Sequence, residues 1–224
     1  KNILKLLPEV IYHMDEPLAD PSSAPTYLLA KEVSKYVKVI IAGDGGDEVF
    51  GGYQAINSID YLKYLFFIPS LLRKNILSPL LAHTSKYFKY PKKQMLMLAS
   101  EIVESKNSKE AYIKLEYLPF NISDKKTILN NNKIKLTTFL EDAVKNNKNL
   151  KNAANEYYFK DWIPNDLLLK ADKMSMAHGL ELRAPFLDKD LIEYSIGLNN
   201  KYKNKRYLFR KVVSKLLPKI ILNK

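Results

Sequence analysis

The sequence predicts an α/β chain that is predominantly helical, and three observations carry that prediction. A short β-branched run, Val39-Ile40-Ile41-Ala42, has the texture of a buried parallel strand. The run stops in a glycine-rich acidic turn, Gly43-Asp44-Gly45-Gly46-Asp47-Glu48. A strand that ends this way leaves its functional groups at the carboxyl edge of a sheet, where open α/β folds bind ligands. Over most of the remaining chain, apolar residues recur at helical spacing and no internal repeat is present.

The elements follow in order. Ile3, Leu6, Leu7, Val10, Ile11 and Met14 predict a helix over residues 2–14, interrupted at Pro8. Asp15-Glu16-Pro17 closes it. Residues 18–25 form a loop, because each proline biases its predecessor away from α. A helix over 25–36 directs Tyr27, Leu28 and Val33 inward, and the strand and acidic turn come next. The order reads as the end of a βαβ-type unit.

In the turn, glycine permits φ > 0 and close backbone approach to a ligand. Clustered carboxylates with no arginine near them in sequence suit Mg²⁺. Gly51-Gly52 ends the segment.

From 53 to 160 the spacing predicts helices over 59–67, 70–81, 92–104, 108–115 and 136–144, with asparagine-rich breaks at 130–132 and 146–149. The Tyr and Phe residues of this stretch are expected as core packing of a helical bundle and not as a cofactor site. His13, His83 and His178 lie far apart and make no metal-ligand pattern. Asp161 to Asp166 caps a helix over 167–174, in which Asp172 and Lys173 interrupt an apolar segment. Glu181 and Arg183 alternate with Leu180, Leu182 and Ala184. Charges so embedded need partners, and a purely structural ion-pair network is one account of them. A last helix over 206–217 sets Tyr207, Leu208, Val212, Val213, Leu216 and Leu217 against a basic face, and Pro218 ends it.

Composition excludes some classes. The formal net charge is +12, but only four of the basic residues are arginine (Arg73, Arg183, Arg206 and Arg210), and the lysines are dispersed among asparagines. A phosphate-reading surface clusters arginine with aromatics, so the chain does not read as a nucleic-acid binder. No apolar run reaches the roughly 20 residues of a membrane span. Without cysteine there is no disulfide or thiolate metal site, which fits a cytoplasmic enzyme. The chain opens on Lys1 inside a predicted helix and reads as a piece of something longer.

Four segments, in this order, resemble the synthetase domain of glutamine-dependent asparagine synthetases and their amidotransferase relatives. The first is Asp15-Glu16-Pro17 with Asp20-Pro21-Ser22-Ser23, and the second is Gly43 to Glu48 with Phe50-Gly51-Gly52-Tyr53. Leu169-Lys170-Ala171-Asp172-Lys173 continuing to Arg183-Ala184-Pro185-Phe186-Leu187-Asp188 is the third. The fourth runs from Tyr207-Leu208-Phe209-Arg210-Lys211 to Leu217-Pro218-Lys219 and Ile221-Leu222. The resemblance implies the C-terminal part of an ATP-pyrophosphatase-type (adenine nucleotide alpha hydrolase-like) domain. Residues 1–53 would end its α/β nucleotide-binding unit, and 54–224 would be its mostly helical portion.

The implied chemistry is adenylation of a carboxylate by ATP, with release of pyrophosphate, followed by attack of ammonia from a glutaminase domain. Aspartate is the default acceptor, and relatives amidate sugar acids. The resemblance makes Asp47 the Mg²⁺–pyrophosphate ligand. Asp44 occupies a position where many members carry Glu, an acid/base for the ammonia step, and is one methylene shorter. Glu48 supports the turn and the substrate site. Gly43, Gly45 and Gly46 contribute backbone beside the nucleotide and acyl group.

Two departures stand beside these expectations. The family's Ser-Gly-Gly-x-Asp-Ser pyrophosphate loop and its N-terminal nucleophile glutaminase domain do not occur in the sequence. The chain also reaches only Lys224, two residues short of the family's catalytic lysine. The 224 residues alone are therefore expected to lack synthetase turnover. Two other readings are an enzyme of the same chemistry acting on a sugar acid of surface polysaccharides, and a basic helical binding module that retains an inactive turn.

Overall fold

A computed structural model describes residues 3–16, 18–116, 138–218 and 220. In it Val39–Ile41 forms strand β1. Its partner is a second strand that the sequence pattern did not announce, β2 (Glu181–Arg183), which pairs with it in parallel with Ile40 opposite Leu182. Two further backbone bonds extend the ladder: the Glu181 amide donates to the Lys38 carbonyl and the Ala42 amide to the Arg183 carbonyl, each at 2.8 Å. The prediction of a fully buried strand is corrected. Successive side chains alternate faces, so Ile40 is half-buried while Val39 and Ile41 point the other way and are exposed. The described residues are otherwise mostly helical.

The chain divides into two units, one comprising Lys1–Gly52 with Asn155–Lys224 and the other Tyr53–Ala154. The first begins with helices α1 (Leu7–Met14) and α2 (Ser23–Val33), followed by β1 and the short helix α3 (Gly46–Phe50). α1 starts with Leu7-Pro8, where the proline's missing N–H costs nothing. Ser22 and Ser23 turn the chain into α2 because Asp20 bends it there. The Ser22 amide donates to Asp20 Oδ1 at 2.7 Å, and the Ser23 hydroxyl to the Asp20 carbonyl at 2.8 Å.

The second unit is helical: α4 (Gln54–Leu65), α5 (Ser78–Ser85), α6 (Lys92–Glu104), α7 (Ser108–Glu116), α8 (Phe139–Asn146) and the start of α9 (Leu150–Tyr157). A π-helical turn, Arg73–Leu77, leads into α5. Within this unit Ala111, Tyr112, Leu140 and Ala153 are fully buried. The Arg73 guanidinium is buried as well and donates to the carbonyls of Ile68, Val103 and Ser105 at 3.1, 2.7 and 2.9 Å. The predicted break at 130–132, the first residues of the 136–144 helix and the segment from Ile221 to Lys224 lie outside the described residues.

Back in the first unit, Tyr158–Leu167 forms a π-helix containing Pro164 and runs directly into α10 (Leu168–Met176). The expected cap at 161–166 is thereby corrected: Leu167 enters α10 with helical dihedrals and no side-chain cap. α10 packs Met174 against Val10, Met14, Ala24 and Tyr27 of α1 and α2, which forms an apolar cluster. After β2 come a 3₁₀ turn (Pro185–Leu187), α11 (Lys189–Gly197) and α12 (Tyr207–Val213). α11 is capped by the Asp188 carboxylate, which accepts from the amides of Asp190 and Leu191.

The last helix is shorter than the 206–217 predicted, and its inner face differs. Phe209 rather than Val212 or Leu216 turns inward, with its ring 5.1 Å from Phe50 and 5.5 Å from Phe186, while Val212 and Leu216 are exposed.

Candidate active site at the end of β1

The site begins where β1 ends. Gly45 takes a left-handed conformation (φ +88°), which reverses the chain and starts α3, and the Val49 amide donates to the Gly45 carbonyl at 2.9 Å. A Cβ on Gly45 would lie 2.2 Å from the Leu187 side chain, and one on Gly46 would meet the Phe186 ring at 3.4 Å. The glycines thus let Pro185–Leu187, the turn after β2, close directly onto the acidic turn. Gly43 is exposed and has open space around its Cβ position.

The three acids of the turn meet different surroundings. Glu48 is buried. Asp44 is half-buried, and burial pushes its carboxyl above the ordinary range while the Lys170 charge pulls the other way. Asp47 forms an ion pair with Arg206.

This last contact corrects the reading of a turn without arginine, since folding brings Arg206 to it from 159 positions away (206 − 47). Arg206 and the preceding Lys205 both have positive φ (57° and 52°), conformations that are uncommon outside glycine and that cluster at functional sites. Gly52 is needed for the same contact. A Cβ there would sit 1.8 Å from Asp47 Oδ1 and 2.4 Å from Arg206 Nε.

A second layer of charge faces Asp44 from α10. Lys170 and Lys173, three residues apart and so on one helix face, reach the loop between α1 and α2. Lys170 Nζ donates to Asp20 Oδ2 at 2.5 Å in a mostly buried pair, and Lys173 pairs with Asp15. Burial pushes Asp20 up, but the bonds from Lys170 and Ser22 outweigh it and hold the carboxyl below the usual range. The Lys173 bond holds Asp15 low in the same way. Asp166, at the end of the π-helix, stands beside this group. Its Oδ1 is buried without a hydrogen-bond partner, and burial together with the Asp20 charge pushes its carboxyl up to about 6. Arg183 and Glu181 pair with each other at 2.8 Å. Asp172 is exposed.

Asp44, Asp47 and Glu48 are adjacent by construction, but the structure adds Asp20, Asp166, Lys170 and Arg206, to which the sequence alone gave no role. The pairs Asp20–Lys170 and Asp47–Arg206 are separated by 150 and 159 positions, beyond any local pattern. The one signal available was composition. A lysine directly after the apolar Leu167-Leu168-Leu169 run demands a partner.

Among the described residues no group of three or more His, Asp or Glu side chains could hold a metal ion unaided. Asp47 offers one carboxylate, which is what Mg²⁺ takes from a protein when phosphate oxygens and water complete its octahedron. The donor set therefore fits an ion that arrives on a phosphate ligand.

A parallel strand pair ending in a glycine-rich acidic turn, with a lysine-bearing helix facing it, makes an α/β unit, and open units of that class bind ligands at the strand carboxyl ends. The chain belongs to the asparagine synthase family, whose model matches residues 1–224. It is 33% identical over 232 residues to asparagine synthetase [glutamine-hydrolyzing] 1 of Bacillus subtilis (strain 168), covering 97% of this chain and 34% of that protein. A putative asparagine synthetase [glutamine-hydrolyzing] of Mycobacterium tuberculosis (strain ATCC 25618 / H37Rv) is 28% identical over 226 residues, covering 97% and 33%. Amidase chry2 of Gibberella zeae is 25% identical over 202 residues, covering 83% and 29%. The chain thus spans about a third of the length of these relatives. No solved structure matches it.

Proposed function

We propose that this chain is the C-terminal part of the synthetase domain of an ATP-dependent, glutamine-dependent amidotransferase, with aspartate as acceptor. The fold assigned to it is the ATP-pyrophosphatase type. The observation that carries the reading is the convergence on one turn of residues from both ends of the chain: Asp44 under Lys170, Asp47 on Arg206, and Phe186 and Leu187 against the glycines.

In the proposed reaction an acceptor carboxylate oxygen bonds to the α-phosphorus of ATP while the bond to pyrophosphate breaks. Ammonia from a glutaminase domain then attacks the acyl carbon, AMP leaves, and the nitrogen gives up a proton. Asp47 would hold Mg²⁺, which when bound neutralises charge developing on the pyrophosphate. Asp44 would accept the proton from nitrogen, and the upward push of burial on its carboxyl supports that role. Glu48, buried in α3, keeps the turn in shape. Gly43, Gly45 and Gly46 let backbone approach the nucleotide. Arg206 holds the Asp47 carboxylate in the turn until a phosphate ligand competes for its guanidinium.

Carboxylate-dependent ATP–pyrophosphate exchange on the intact protein tests the reading, with aspartate and a panel of uronic acids as acceptors. Exchange with aspartate, lost on Asp47→Asn, is the expected result. Exchange only with a uronic acid keeps the mechanism and changes the substrate. An absence of both exchange and nucleotide binding, with steeply salt-dependent binding to nucleic acid, would replace the enzyme with a binding module.

A further inference from the structure

Asp166 has no place in the chemistry above, yet its Oδ1 is buried without a hydrogen-bond partner beside the Asp20–Lys170 pair. It closes the π-helix Tyr158–Leu167, four residues before Lys170, and its neighbours reach it from two other places: Asp20 from the turn ahead of α2 and Lys170 from α10. Elsewhere on the π-helix the Asn165 side chain donates to Asp161 at 2.9 Å, and the Trp162 indole N–H is buried without making a hydrogen bond to Asp166 or to any other described group. The Lys170 ammonium, 2.5 Å from Asp20, is committed to that carboxylate. What remains for Asp166 Oδ1 is a buried position with no donor.

A buried acceptor without a donor is costly, and two facing carboxylates with one lysine between them leave one negative charge uncompensated. A single proton removes both costs. Carried by Asp166, it turns an orphaned acceptor into a donor to Asp20, as in other sites where two carboxyl groups share a proton.

We propose that Asp166 is a positioning residue. Its carboxyl takes up a proton when an anionic phosphate ligand binds at the acidic turn, donates to Asp20, and so fixes the Asp20–Lys170 pair that faces Asp44. The proposal rests on the reading of the turn as a nucleotide site. The proton comes from solvent, and no covalent bond changes.

The direction follows from charge. With its carboxyl at about 6, Asp166 is ionised in most molecules at pH 7. A phosphate anion adds negative charge near the trio, and added negative charge favours the protonated acid. Binding at pH 7 is then expected to take up about half a proton or more.

The test is titration calorimetry of inorganic pyrophosphate with Mg²⁺ into the intact protein at pH 7, in two buffers of different ionisation enthalpy. Wild type should take up about half a proton more per ligand than Asp166→Asn. The asparagine amide can donate to Asp20 permanently, so this variant should bind without the uptake. Asp166→Leu, which cannot donate, should bind roughly tenfold more weakly, and rescue by asparagine but not leucine separates positioning from bulk packing. Equal uptake in wild type and Asp166→Asn would overturn the proposal.

Infrared difference spectra of the same proteins between pH 5 and 8 read the proton without any ligand. A protonated-carboxyl band lost with a midpoint near 6 and absent from Asp166→Asn supports the assignment. The same band in both proteins refutes it. If pyrophosphate does not bind wild type at all, the nucleotide reading fails, and the infrared result still decides where the proton sits.

Discussion

Replacing Gly52 with alanine separates the role of the turn from its stability. The added Cβ would stand 1.8 Å from Asp47 Oδ1, 2.6 Å from Asp47 Cγ and 2.4 Å from Arg206 Nε, whereas real Cβ atoms keep at least 3.0 Å. The backbone cannot retreat easily, because the Gly52 amide donates to the Asp47 carbonyl at 2.9 Å. The carboxylate must therefore move by more than an ångström. Both obstructing groups are the tips of side chains, and the ion pair they form is partly exposed. Its loss costs about 0–1 kcal/mol, a shift of at most roughly 4 °C in melting temperature for a chain of this size.

The effect on chemistry is larger, since a misplacement of about 1 Å in a reacting constellation can cost on the order of 10²-fold in rate. ATP–pyrophosphate exchange and thermal melts on the same preparation should show a Gly52→Ala protein that is folded and nearly inactive. Gly51→Ala is the control. There the Cβ meets the backbone oxygen of Lys203 at 2.9 Å and φ is +64°, so about 1–2 kcal/mol of stability goes as well. Exchange within twofold of wild type in Gly52→Ala, or stability and rate falling together, would refute the reasoning.

Other outcomes test the surroundings. Arg73→Met removes the donor to three carbonyls in the second unit and should lower stability by about 3 kcal/mol, seen as a melting shift of roughly 6–12 °C. Asp166→Asn should show a stability gain that depends on pH. A carboxyl raised on folding stabilises fully below its unfolded value of 3.8, and that contribution is lost as pH rises through about 6. The variant should match wild type near pH 4 and exceed it at pH 8 by about 1–2 kcal/mol, after allowance for solvent screening, in denaturant titrations at the two pH values.

How much of this could be read beforehand depended on range in sequence. β1 and its turn were legible because an apolar run, three glycines and three acids lie within ten residues. The helix over Lys92–Glu104 was legible because its period is long and unbroken. β2 was not. Three residues, two of them charged and exposed, carry too little alternation to announce a strand, and only β1 beside them makes them one. The π-helix was misread as a capped start, because Asp161, Pro164 and Asp166 are helix-start residues by composition, while the chain continues helically through them. The position of Asp166 beside Asp20 depends on that continuation and could not be seen without it.

The four segments that carried the family resemblance look independent along the chain, and in the first unit they are contacts of one another. Asp20, from the first segment, holds Lys170 of the third, and the Lys170 charge acts on Asp44 of the second. Phe186 and Leu187, later in the third, press on Gly46 and Gly45, and the Phe209 ring of the fourth lies tilted by 30° against Phe50 and edge-on to Phe186. Each segment is thus held by the others through contacts that tolerate little change in size or charge. At Gly45 a single methyl would meet Leu187 at 2.2 Å in a left-handed backbone. Any displacement of Leu187 must move a turn that directly follows β2, and β2 sets the register of β1. Among the described residues, the acids of the turn are thus held in place by side chains drawn from all four segments.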